Sequence, residues 1–194
     1  MTKDLFNVPN TISLIRLALI PLFVWLIVVD AYGWAGLLFA FIGATDWIDG
    51  YLARRLGQVT EIGKMLDPLA DRLAVAVAVI GGLVTGVLPA WFAWAIIVRE
   101  VLIALGALYG WTHGVRRLDV RWIGKVATFA LYAAVAGFYI GEGLGRVPWT
   151  TFAWILGLPG LILYYVVGVR YAVDMMQAVR ATVDDDARVS QEDG

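Results

Sequence analysis

Four aspartates stand in one of the most apolar stretches of the chain, at Asp46, Asp49, Asp67 and Asp71. They are framed as D-W-I-D-G-Y-L-A-R from Asp46 to Arg54, then eight residues, then G-K-M-L-D-P-L-A-D from Gly63 to Asp71. An ionised carboxylate at membrane depth is costly, so four together need compensation. A bound divalent cation is the simplest, because carboxylate oxygens are what hard cations prefer. The i, i+3 and i, i+4 spacings put each pair on one helix face, and the short segment between the pairs lets them converge. Converging carboxylates raise one another's pKa unless countercharge is present, and one or two Mg²⁺ or Mn²⁺ ions would supply it. Such a site suits a pyrophosphate, whose oxygens metal ions can bridge while charge develops on the leaving group. Asp71, the last of the run, is placed to act as general base toward an attacking hydroxyl.

The residues between the acids fit the same chemistry. Gly50 and Gly63 let a phosphate or a planar base approach the backbone, and Ala53 is small for a related reason. Arg54 offers a planar fork to phosphate oxygens left uncovered by metal. Each has a plainer reading alone: close helix packing for the glycines, an inner-face anchor for the arginine. The joint spacing favours the site.

Those residues must be positioned by membrane helices. Of 194 residues, 61% are hydrophobic and 16% charged. Mean hydropathy is +0.78, outside the usual range of soluble domains. Apolar runs of spanning length predict six helices, near 11–30, 33–56, 61–84, 89–112, 120–141 and 149–177. The fold class expected is therefore all-α, a polytopic six-helix bundle. It forms one membrane domain over 1–180, followed by an acidic, solvated and disordered tail over 181–194. No cleavable signal is expected.

The cations orient the bundle. Fourteen of the 15 Lys and Arg fall on one side or in the helix halves nearest it, and only Arg146 falls on the other. Both termini and the loops around 54–64 and 113–125 are then cytoplasmic, with Trp34, Trp91 and Trp149 marking the outer interface and Trp111 and Trp122 the inner one. The expected location is the cytoplasmic membrane, with the acids facing the cytoplasm. The chain has no cysteine and one histidine, His113, so neither a thiolate nor a histidine metal cluster is available. No nucleic-acid partner is expected.

From Asp46 to Asp71 the chain resembles the CDP-alcohol phosphatidyltransferase family, whose signature D-x2-D-G-x2-A-R-x8-G-x3-D-x3-D it matches at every fixed position. At residue frequencies of roughly 5–10%, eight such matches by chance are on the order of one in ten billion. The resemblance implies a membrane enzyme, commonly homodimeric, that moves the phosphatidyl group of CDP-diacylglycerol to an alcohol and releases CMP. It implies that Asp46, Asp49, Asp67 and Asp71 hold the metals and that Asp71 also takes the acceptor's proton. It further implies that Asn10, Gly50, Ala53, Arg54, Thr60 and Gly63 meet the CDP-lipid. Glycerol 3-phosphate is the acceptor expected first. The segments P-N-T-I-S-L-I-R from Pro9, V-R-E-V-L-I from Val98 and G-K-V-A-T from Gly124 resemble phosphatidylglycerophosphate synthases. The alternative is phosphatidylglycerol, because the stretch A-L-G-A-L-Y from Ala104 lacks the second arginine usual there and is closer to cardiolipin synthases. Inositol phosphate fits less well.

Arg99, Lys125, Arg116 and Arg170 are the cations expected to meet the acceptor. Arg99 has a second reading, pairing with a nearby acid, and Glu100 is ambiguous between packing and site. A cation channel or transporter is the competing class. It would spread its acids through the bilayer depth or break helices in matched halves, and these acids cluster near one face.

Overall fold

The computed structural model describes residues 8–56, 61–114, 122–145 and 147–192, and the side chains of 14–45, 70–114, 122–145 and 147–180 among them. The described residues form six α-helices and no strand: α1 (Val8–Val28), α2 (Tyr32–Leu56), α3 (Glu61–Thr85), α4 (Ala90–Thr112), α5 (Trp122–Leu144) and α6 (Val147–Glu192). The first five expected helices are recovered with ends shifted by at most three residues. Turn chemistry ends them where expected, since Asp30, Gly86, Gly114 and Gly145 adopt positive φ.

The sixth helix differs from expectation. Residues 181–192, expected as a disordered acidic tail, continue α6 as helix. No Gly or Pro follows Gly168 until Gly194, so nothing in this stretch breaks a helix already propagating.

Three of these helices, Ala90–Thr112, Trp122–Leu144 and Val147–Arg180 of α6, are long and apolar enough to cross a membrane, and Leu14–Val28 and Tyr32–Thr45 are shorter apolar segments. The outward surface matches. Val84, Phe129, Val147 and Trp122 are more than 70% exposed, and Trp34 and Trp111 are 70% exposed. A water-soluble domain does not present apolar residues around its whole periphery on this scale.

In such a setting, burial from water cannot hold helices together, so close backbone approach and interhelical hydrogen bonds must do it. Helix α2 packs along α5, α5 along α6, α1 against α2 and α3, and α4 against α6 and α3. At the α2–α5 contact a Cβ on Gly36 would lie 2.7 Å from the Ile140 backbone nitrogen and 2.8 Å from the Ala136 carbonyl oxygen. Two tyrosines pin further pairs. Tyr139 of α5 donates to the Ala78 carbonyl of α3 at 2.8 Å, and Tyr165 of α6 donates to the Ala95 carbonyl of α4 at 2.8 Å. Between them an aromatic core links Phe23, Phe39 and Tyr139, with Phe23 centroids 5.6 and 5.5 Å from its two partners.

One cation lies inside the bundle. Arg16, which the sequence puts on the cytoplasmic side or in the helix half nearest it, is 1% exposed within the bundle, where it has a partner. A guanidinium on the first helix faces inward because its neighbours Leu14 and Ile15 occupy the outer face.

Gly36→Ala should lower stability by about 2 kcal/mol, because the clash is with backbone that cannot step aside. Thermal unfolding in detergent checks this; an unchanged midpoint would show that α2 and α5 are less tightly apposed.

Candidate active site

The acid pairs lie on consecutive helices, Asp46 and Asp49 on α2, Asp67 and Asp71 on α3, and these two helices pack against each other. Only four residues connect Leu56 to Glu61. Asp46 is ten residues before the end of α2 and Asp71 ten residues after the start of α3. Each is therefore about 15 Å from the connection at 1.5 Å per residue. Asp49 and Asp67 are likewise at matching depth, about 10 Å from it. Counted along the two helices from their connection, the four positions therefore fall into two matching pairs.

The side chains of Asp46, Asp49, Gly50, Ala53, Arg54, Gly63 and Asp67, and that of Asn10 on α1, lie outside the described residues, as do Thr60 and Arg116 altogether. Asp71 is the member of the acidic set whose side chain is described: it is half-buried and engaged with a partner. Among the described residues no three acids or histidines gather as a metal site. The lone His113 ends α4, its Nδ1 2.8 Å from the Tyr109 carbonyl oxygen.

A second polar cluster begins at the next residue. Arg72 Nη1 is 3.9 Å from Glu100 Oε2 of α4. The other oxygen of Glu100 accepts from Arg99 Nη1 at 2.8 Å and from the hydroxyl of Tyr164 of α6. The Arg99 guanidinium also lies over the Tyr164 ring, 3.6 Å from its centroid, a cation–π contact in a desolvated setting. Its Nε is buried without a hydrogen-bond partner among the described residues. Helix α6 passes close because a Cβ on Gly168 would be 3.5 Å from that Nε. A Cβ on Gly124, at the start of α5, would be 3.4 Å from Val167 of α6. The starting turn of α5 therefore lies at the level of Gly168 and Arg99.

Of the three expected acceptor cations that are described, Arg99 is built into a polar network, with its side chain only 14% exposed. It also pairs with an acid, as its second reading had it. Lys125 and Arg170 are exposed at neighbouring levels of α5 and α6. Sequence reasoning missed Tyr164 and the bridging position of Glu100. The available signal was the pair Tyr164-Tyr165 in an apolar helix, since two hydroxyls at that depth each need a partner.

A family model for CDP-alcohol phosphatidyltransferases matches residues 6–176. The chain belongs to the CDP-alcohol phosphatidyltransferase family. It is 36% identical over 195 residues to the CMP-forming cardiolipin synthase of Streptomyces coelicolor, covering 95% of this chain and 90% of that one. It is 35% identical over 191 residues to the CDP-diacylglycerol–glycerol-3-phosphate 3-phosphatidyltransferase of Salmonella typhimurium, covering 93% and 97%. The Pectobacterium atrosepticum enzyme of the same name is 40% identical over 156 residues, covering 72% and 83%. Membership makes the chain a phosphatidyltransferase of phospholipid biosynthesis, and its apolar helices make it a membrane protein.

Proposed function

We propose that this enzyme transfers the phosphatidyl group of CDP-diacylglycerol to a glycerol hydroxyl and releases CMP. The observation that carries the reading is the complete acid signature at matching depths on α2 and α3. Its donor set, four carboxylates without nitrogen or sulfur, suits Mg²⁺ or Mn²⁺. Asp46, Asp49, Asp67 and Asp71 would hold such ions, which would supply neutralising charge to the pyrophosphate and the leaving phosphate. Asn10, Gly50, Ala53, Arg54, Thr60 and Gly63 receive the CDP-lipid, the small residues by leaving room and Arg54 by donating to phosphate oxygens. Asp71 takes the proton of the acceptor hydroxyl, whose oxygen forms a bond to the phosphatidyl phosphorus. The phosphorus–oxygen bond to CMP breaks, and CMP leaves with the electron pair.

In this reading all six helices span the cytoplasmic membrane with both termini inside, as the 14-to-1 division of cations favours. The site opens to the cytoplasm, where CMP is soluble. Residues 1–180 are the catalytic membrane domain, 181–194 extend from it into the cytoplasm, and the enzyme works as a homodimer.

Arg99, Lys125, Arg116 and Arg170 receive the acceptor, whose own phosphate needs guanidinium or ammonium partners. Glycerol 3-phosphate is the first acceptor, supported by relatives named for it at 35% and 40% identity. A specific observation favours phosphatidylglycerol as a second. Beyond Arg99, α4 carries Leu105, Leu108 and Tyr109, all more than 50% exposed and without a cation among them, a surface suited to a lipid acceptor's acyl chains.

Purified enzyme given Mg²⁺ and CDP-diacylglycerol should release CMP when either acceptor is added, and the lipid product identifies which is used. No CMP with glycerol 3-phosphate, phosphatidylglycerol or inositol phosphate would overturn the reading. Asp71→Asn should lower kcat by about 10²–10⁴-fold while leaving CDP-lipid binding measurable; near-normal turnover would remove the base assignment. Chelation with EDTA should abolish turnover, and added Mg²⁺ or Mn²⁺ should restore it.

A further inference from the structure

We propose that Glu100 sets the charge of the acceptor phosphate that this enzyme takes, acting as an internal counter-anion on Arg72 and Arg99. The inference rests on the proposed acceptor role of the α4 arginine. The carboxylate lies between two guanidiniums from different helices, with Oε1 2.8 Å from Arg99 and Oε2 3.9 Å from Arg72. An incoming phosphate would seek that same position, since a guanidinium fork binds carboxylate and phosphate by similar geometry. Glu100 is not free to swing away. Tyr164, 7% exposed and fixed between α4 and α6, donates its hydroxyl to Oε1 and supports the Arg99 guanidinium on its ring face.

Within this cluster the charges can be counted apart from the exposed Lys125 and Arg170, which solvent and salt screen. Arg72 and Arg99 together carry +2 and Glu100 carries −1, so the cluster offers a net charge of +1. A phosphate diester, as in phosphatidylglycerol, carries one negative charge and matches it. A phosphate monoester such as glycerol 3-phosphate carries about −1.5 to −2 near pH 7. It leaves excess negative charge beside Glu100, where like-charge juxtaposition is unfavourable. The side chains of Arg99 and Glu100 are 14% and 30% exposed, so solvent screens this repulsion only in part. Glu100 is thus a specificity-determining residue: it shifts preference toward singly charged acceptors whatever the absolute rates.

The test uses the full chain in detergent with Mg²⁺ and CDP-diacylglycerol, and measures kcat/KM for glycerol 3-phosphate divided by kcat/KM for phosphatidylglycerol. Where one acceptor is not turned over, the ratio compared is that of apparent affinities instead, 1/Ki of that acceptor as a competitive inhibitor against 1/KM of the other. Glu100→Gln keeps the shape and the acceptor oxygen but removes the charge, and should raise the ratio by about tenfold at low salt. Arg72→Gln removes one positive charge from a side chain 61% exposed, so the fold should tolerate it, and should move the ratio the opposite way. Both shifts should shrink toward unity at about 0.5 M salt, as electrostatic effects do. A packing defect would lower both acceptors together, without opposite signs and without salt dependence. Should Glu100→Gln fail to fold, Arg72→Gln carries the test alone. A ratio within about twofold of wild type in either folded variant, or one moving the same way in both, overturns the proposal. Absence of CMP release by wild type with any acceptor would instead overturn the reaction itself, and this inference with it.

Discussion

A charge placed in an apolar bundle must find its countercharge within the bundle, and the polar architecture of this protein follows from that constraint. Three solutions appear. Arg16 is fully enclosed and engaged with a partner. Arg99 and Glu100 neutralise one another across adjacent positions of α4, with Arg72 and Tyr164 closing the arrangement from α3 and α6. Neighbouring helix residues do not normally face each other, and only the length of both side chains lets this pair meet. The four aspartates stand within about three helical turns of the short α2–α3 connection, and under the proposed function their countercharge is a cation supplied from outside.

The same constraint shapes the packing around these groups. Helices surrounded by lipid gain little from hiding apolar area, so contact quality decides which surfaces meet. Gly36 lets α2 reach the α5 backbone, and Gly168 lets α6 lie on the stem of Arg99. Tyr139 and Tyr165 each convert a hydroxyl that would otherwise be unsatisfied into a link between helices. Tyr164 goes further, binding a charged group instead of a backbone carbonyl. Its ring and its hydroxyl serve different partners, Arg99 and Glu100, so a single side chain from α6 holds both members of the α4 pair.

Much of this was legible in the sequence, for physical reasons that also mark where reading stopped. Helix positions followed from apolar run length and from the turn residues Asp30, Gly86, Gly114 and Gly145, because membrane thickness and left-handed backbone impose strict local requirements. Asp46 and Asp49 fall on α2 and Asp67 and Asp71 on α3, the helices that the apolar runs had marked out for them. The inward direction of Arg16 was not legible: hydropathy places a cation at a depth but not at an angle around its helix. Nor was the Glu100–Tyr164 bond, whose partners are 64 residues apart and meet only once α4 and α6 are docked. The helical continuation of α6 to Glu192 was missed because charge density was read as solvation, whereas uninterrupted helix-compatible residues let the helix run on.

The two polar systems are joined at one step of the chain. Asp71 belongs to the acid set, and Arg72, the next residue, reaches the α4 cluster. Successive residues on a helix point about 100° apart, so α3 can carry chemistry on one face and acceptor electrostatics on the next without sacrificing either. A shift of α3 along its axis would move both together. Asp71 and the backbone of Arg72 are therefore held in fixed relation by a single peptide bond, more rigidly than contacts between separate helices would allow. Under the proposed function, that coupling ties the part of the acceptor site where α3, α4 and α6 meet to the acid set, while Lys125 and Arg170 stand exposed at neighbouring levels of α5 and α6.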